Sequence, residues 1–113
     1  MEELTIEMLD EHVRTGKEKA GAIAALAQHL HGQKERPAWE EIEELLNEDV
    51  PFVLRAQKLV EKTEGKIASA EKRGFATPLE IRQAKEQLLA SAKLTILALD
   101  EVYGELKTIE EKM

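Results

Sequence analysis

Apolar and small residues recur along three stretches of the chain in alternating steps of three and four. The first row is Ile6, Leu9, Val13, Gly16, Ala20, Ile23, Ala27 and Leu30. The second is Trp39, Ile42, Leu46, Asp49, Val53, Ala56, Val60, Thr63, Ile67 and Ala70. The third is Ile81, Lys85, Leu88, Ala92, Thr95, Leu99, Val102, Leu106, Ile109 and Met113. A spacing that averages about 3.5 residues keeps one helix face turned toward a neighbour and predicts near-parallel, coiled-coil-like packing. Strand-like alternation never persists beyond a few residues. The expected fold is all-α: an antiparallel bundle of three long helical segments plus a short acidic helix, in one domain spanning residues 1–113.

Local signals place the helix ends. Gly32 ends the first helix, and "QKER" leads to Pro37 and the acidic first turn of Glu40 and Glu41. Acids there suit the positive end of the helix dipole. In "GFATPLE", Gly74 suits the left-handed residue after a helix. Thr77 is an N-cap, Pro78 fits the first helical position, and Glu80 can close a capping box onto Thr77. So short a link predicts an antiparallel hairpin.

Pro51 interrupts the second row. Within a regular helix it removes a donor and collides with the carbonyl of Asn47, costing roughly 3 kcal/mol. Asn47 can end a helix, Asp49 can cap the next, and an inward unpaired carboxylate at Asp49 is costly. The reading favours a break at 47–50 between a short helix 38–46 and a longer one 50–73, with a kinked continuous helix as the alternative.

Gly16, Ala20, Ala24 and Ala27 make a shallow first face that lets a neighbouring backbone approach. Larger side chains are then expected from the partners: Phe52 and Leu59 beside the second row, and Leu89, Ile96 and Tyr103 beside the third, widen each stripe to a bundle core. Residues 78–112 reach about 52 Å as a helix and the first helix only about 40 Å. The last helix therefore overhangs unless the short helix covers it. In "KLTILALDEVY", Leu94 and Leu97 fall off the row and Ile96 flanks it. A helix apolar nearly all round faces either a larger core or another chain. Leu94, Ile96, Leu97 and Tyr103, with Trp39 and the acidic Glu40, Glu43 and Glu44, are the candidate partner interface.

Composition narrows the chemistry. The 113 residues carry a formal charge of −7 and no cysteine, which removes disulfides, thiolate nucleophiles and cysteine-based zinc sites. Residues 38–50 hold six acids and no base, whereas 51–113 hold eleven bases and ten acids. The start, "MEELTIEML", has neither the basic region nor the apolar run of a signal peptide, and no apolar run is long enough to span a membrane. A cytoplasmic protein is the expectation. Arg55, Lys58, Lys62 and Lys66, continuing to Lys72 and Arg73, form a basic stripe. Glu61, Glu64 and Glu71 interrupt it and no aromatic is interleaved, so it reads as solvated surface, with nucleic-acid contact as a lesser alternative.

His29 and His31 point to different helix faces and make poor joint ligands. No glutamate precedes a histidine by three residues, as a di-iron bundle requires. Glu40, Glu43 and Glu44 share a solvent face opposite Ile42, Leu45 and Leu46. No phosphate loop, hydrolase triad or metal quartet is present, and no motif calls for a cofactor. His12, in "DEHVRTGKEKAG", lies beside the inward Val13 with Gly16 one turn on. The spacing His12, Gly16, Leu26, Leu30 resembles the phosphoacceptor helix of histidine phosphotransfer domains. That resemblance implies His12 as acceptor and a clear space over Gly16 for the phosphoryl donor. The first expectation is nonetheless a non-enzymatic adaptor or regulatory bundle. It would bind another protein or a second copy of itself through its apolar helix faces, with a phosphorelay role for His12 as the alternative.

Overall fold

The computed structural model describes residues 6–32 and 39–112, with the side chains of Ile6, Trp39 and Glu41 excepted. Four helices follow in order: α1 (Ile6–His31), α2 (Trp39–Glu44), α3 (Val50–Arg73) and α4 (Pro78–Lys112), and a π-helical turn, Leu45–Asp49, joins α2 to α3. The described residues contain no strand, and the helices pack on one another as an all-α bundle. The link 33–38, where Pro37 falls, lies outside the described residues.

The α3–α4 hairpin forms as its residues dictate. Gly74 adopts φ 70° and ψ 27°, and the Phe75 N–H donates to Ala70 O at 3.1 Å, capping the last carbonyls of α3. The Thr77 N–H donates to Glu80 Oε1 at 3.0 Å while the Glu80 N–H donates to Thr77 Oγ1 at 3.2 Å. Both orphan donors at the start of α4 are thus satisfied within one turn.

The expected break at 47–50 does not occur. Glu44, Asp49 and Val50 all have right-handed helical backbone, and Asp49 makes no capping bond with its side chain. The chain instead widens by one residue per turn: the Val50 N–H donates to Leu45 O, five residues back. In a ladder already shifted to this spacing, Pro51 removes no regular α-helical bond, and the wider turn relieves its ring from the Asn47 carbonyl. The same turn settles the register. Asp49, which the spacing of the row would turn inward, is exposed, while Val50 is buried. The inward row becomes Ile42, Leu46, Val50, Val53, Gln57 and Val60, replacing the expected Asp49 and Ala56.

The rows of α1 and α4 hold. Leu9, Val13, Gly16, Ile23, Ala27 and Leu30 are buried on α1, as are Ile81, Leu88, Ala92, Thr95, Leu99, Val102 and Leu106 on α4. Ala24, expected on the α1 face, is exposed. The core divides in two. One half joins Ile23, Leu30, Ile42, Leu45, Val53, Leu99 and Leu106; the other joins Leu9, Val13, Val60, Ile67, Ile81 and Leu88. These pairings run α1 antiparallel to α3 and parallel to α4. Ile42 and Leu45 lie on the far end of α4, so α2 and the π turn cover the overhang.

Between the two halves the interior is polar. Gln57 is only 2% exposed, and its Nε2 donates to Val13 O of α1 at 3.0 Å. Gly16 makes the room: a Cβ there would lie 2.2 Å from Gln57 Oε1. Thr95 is also buried, its hydroxyl donating to Ser91 O at 2.8 Å. Ion pairs tie the helices at the surface, Lys19–Asp100 at 2.6 Å between α1 and α4 and Lys85–Glu71 at 2.7 Å between α3 and α4.

Candidate interaction face

The side of α3 and α4 away from α1 carries apolar groups that the bundle leaves uncovered. Phe52 and Leu59, expected in the core, are 69% and 64% exposed. Three helices supply two neighbours for α3, and a flanking position that points to neither remains in solvent. Leu94 and Leu97 are 68% and 65% exposed, off the row as their spacing predicts. Between α3 and α4 runs a shallow groove lined by Ala56, Leu59, Val60, Thr63, Ile67, Ala84, Gln87, Leu88, Ser91 and Thr95. The buried Val60, Ile67 and Leu88 lie at its base.

Near the π turn, Glu44, Asp49, Glu101 and Glu105 line a second concavity with Leu45, Ile109 and the single base Lys112. Four carboxylates against one ammonium leave this end of the face net acidic. The opposite end is basic, because helix geometry sorts the charges that alternate in the sequence. Glu61 and Glu64, which interrupt the basic stripe in sequence, turn toward α1. Glu61 approaches Lys17 at 4.0 Å, and Glu71 is engaged by Lys85. Lys62, Lys66 and Arg73 are left exposed beside the groove.

The candidate interface residues are thus divided. Leu94, seven residues on from Gln87 of the groove lining, lies on the α3–α4 side with Glu44, which lines the acidic end, whereas Leu97 stands on the back of α4, opposite the buried Leu99; Glu40 and Glu43 are exposed on α2. Ile96 is half-buried and Tyr103 is 36% exposed. Both share a side of α4 with Asp100, which meets Lys19 of α1, so they turn toward α1. The Trp39 side chain lies outside the described residues. Leu89 packs, partly buried, against the Leu9–Leu88 half of the core. Phe52 and Leu59 belong to the face but were expected inside. Their seven-residue spacing was visible in the sequence, whereas the lack of a further long helix over this flank among the described residues was not.

A carboxylate cluster lies at the α1–α3 junction. Arg14 pairs with Asp10 at 2.6 Å, and Glu64 stands nearby with its Oε2 buried and without a hydrogen-bond partner. Desolvation first, then the charges of Asp10 and Glu61, push the Glu64 carboxyl above its usual range, with Arg14 opposing. Among the described residues, no group of three histidines, cysteines or carboxylates is arranged to hold a metal ion.

His12 is half-buried on α1, its Nδ1 3.0 Å from Met8 O. The clearance over Gly16 that the phosphotransfer resemblance implies is filled by the Gln57 amide. His29 and His31 are both exposed. Among the described residues, no helix is long and apolar enough to cross a membrane. Comparison of the chain with protein families, with curated proteins and with solved structures finds no match.

Proposed function

We propose that this chain is a non-enzymatic binding module, an adaptor or regulatory bundle that engages another protein or a second copy of itself through the α3–α4 face. The observation that carries the reading is the inversion at the bundle's waist. There the interior holds Gln57, Gly16 and Thr95, while Phe52, Leu59, Leu94 and Leu97 stand outside in water. Side chains of that size left about two-thirds exposed amount to roughly several hundred Å² of apolar surface, the scale of the largest, often functional, patch on a monomer. A shallow, largely apolar groove between two helices accepts a helix from a partner as the grooves of a bundle accept their own helices.

Comparison of the proteins captured from the native source by the wild-type chain and by a Leu59→Glu/Leu94→Glu variant tests this reading. Loss of specific partners in a variant with unchanged helicity supports it. An identical set of captured proteins and an identical oligomeric state for both forms overturn it.

A further inference from the structure

The α3–α4 face is self-complementary, and we propose that its occupant is a second copy of this chain, docked antiparallel about a two-fold axis perpendicular to the helices. This rests on the reading of that face as an interaction surface.

The apolar groups of the face agree on one axis. On α3, Phe52 and Leu59 are equally distant from a point between Arg55 and Ala56. On α4, Leu94 adjoins Thr95. Ala56 and Thr95 line the same groove, so that point and Leu94 lie at one level of the bundle. A two-fold axis through that level sets Phe52 against Leu59 of the second copy, and Leu94 beside its own counterpart. An isologous interface has this property, with each off-axis contact occurring twice.

The charges obey the same symmetry. Glu44 and Asp49 lie on one side of the axis level, and Lys62 and Lys66 lie at similar distances on the other. Antiparallel docking lays the acidic end of each copy over the basic end of its neighbour, whereas docking with the two copies of α3 parallel leaves like ends together. Opposed fields of this kind favour encounter and fix register. The size also suffices. From Glu44 to Lys66 the face is about 33 Å long at 1.5 Å per residue. At the width of two helices, about 20 Å, its projected area is roughly 600 Å², near the ~800 Å² of accessible surface per partner in a stable complex.

The absence of cysteine from the chain makes the geometry directly measurable. Sedimentation from micromolar to millimolar concentration is expected to show a monomer–dimer equilibrium. Leu59→Glu should raise the dimer dissociation constant more than tenfold. Lys66→Glu alone should weaken the dimer several-fold, and Glu44→Lys/Lys66→Glu should restore it, since the reversed charges meet across the axis. All these positions are exposed, and an unchanged circular dichroism spectrum at low concentration confirms that each variant folds.

A short thiol cross-linker should join copies carrying Arg55→Cys, near the axis. It should not join copies carrying Lys66→Cys, whose thiols stand roughly 30 Å apart in the docked pair. A chain that stays monomeric at every concentration overturns the second copy as occupant. So does a dimer cross-linked through Lys66→Cys but not Arg55→Cys. Neither result by itself overturns the reading of the face as an interaction surface, which falls only if the captured proteins are also identical for the wild-type chain and the Leu59→Glu/Leu94→Glu variant.

Discussion

Gly16 and Gln57, on different helices, share one side chain's worth of space: the Gln57 amide rests where a Cβ on Gly16 would have to be, 2.2 Å from Oε1. The glycine allows the amide to reach Val13 O on α1, so the one long polar side chain buried among the described residues is satisfied. In an exposed helix position glycine costs about 1 kcal/mol relative to alanine. At this position the cost is offset by a buried hydrogen bond that no other residue would permit.

Gly16→Ala should therefore destabilise the fold by about 1–2 kcal/mol, as overpacking and the loss of the Gln57–Val13 bond outweigh the gain in helix propensity. In a Gln57→Ala background the obstruction is gone, and the same substitution should stabilise by up to about 1 kcal/mol. Urea denaturation of the four proteins in this double-mutant cycle measures the reversal of sign. A Gly16→Ala effect of equal size in both backgrounds would show that the two residues are not coupled.

Pro51→Ala should change stability by less than about 1 kcal/mol, far from the roughly 3 kcal/mol gained by removing a proline from a regular helix interior. The π turn already bonds Val50 to Leu45. Tightening it to a regular helix would turn the exposed Asp49 carboxylate toward the apolar core, which opposes the change. Equilibrium unfolding of the variant gives the value, and a gain near the larger figure would mean that proline strains the helix.

Glu64 should make the protein less stable as the solution turns from acidic to neutral. Its folded-state pKa is raised above 4.5, first by desolvation and then by Asp10 and Glu61. Between the unfolded and folded values the native state holds more protons than the unfolded chain, so stability falls as pH rises through that window. Glu64→Gln should raise the melting temperature at pH 7 and remove this part of the slope. At a pH below the unfolded value the two proteins should melt together. Thermal unfolding across a pH series reads both effects.

Thr77→Ala should cost about 1 kcal/mol through loss of the α4 cap. The Thr77 backbone and hydroxyl together hold the exposed Glu80 carboxyl below its usual value. The stability linked to Glu80 is thus present above its unfolded pKa and lost as pH falls through the lowered folded one. The variant should return the Glu80 titration toward the ordinary carboxylate range, observable by NMR. A Glu80 titration unmoved by the substitution would leave the capping box without electrostatic consequence.

Residues within a turn of one another carried enough information to place much of this molecule. The inward rows of α1 and α4, the Gly74 and Thr77 caps, and the outward Leu94 and Leu97 follow from helical spacing and backbone chemistry that act locally. The middle segment was ambiguous for a physical reason. Leu46–Asp49–Val53–Ala56–Val60 and Leu46–Val50–Val53–Gln57–Val60 both step by three and four, and only the neighbouring helices decide which row faces inward. Gln57 is acceptable inside because Gly16, far away in sequence, leaves the space and Val13 supplies the acceptor. Phe52 and Leu59 are outside because a three-helix bundle ends where it does, leaving a flank of α3 with nothing to pack against. Propensity and capping are properties of neighbouring residues. Register, the satisfaction of a buried amide and the exposure of a flank depend on surfaces that exist only once the helices have met.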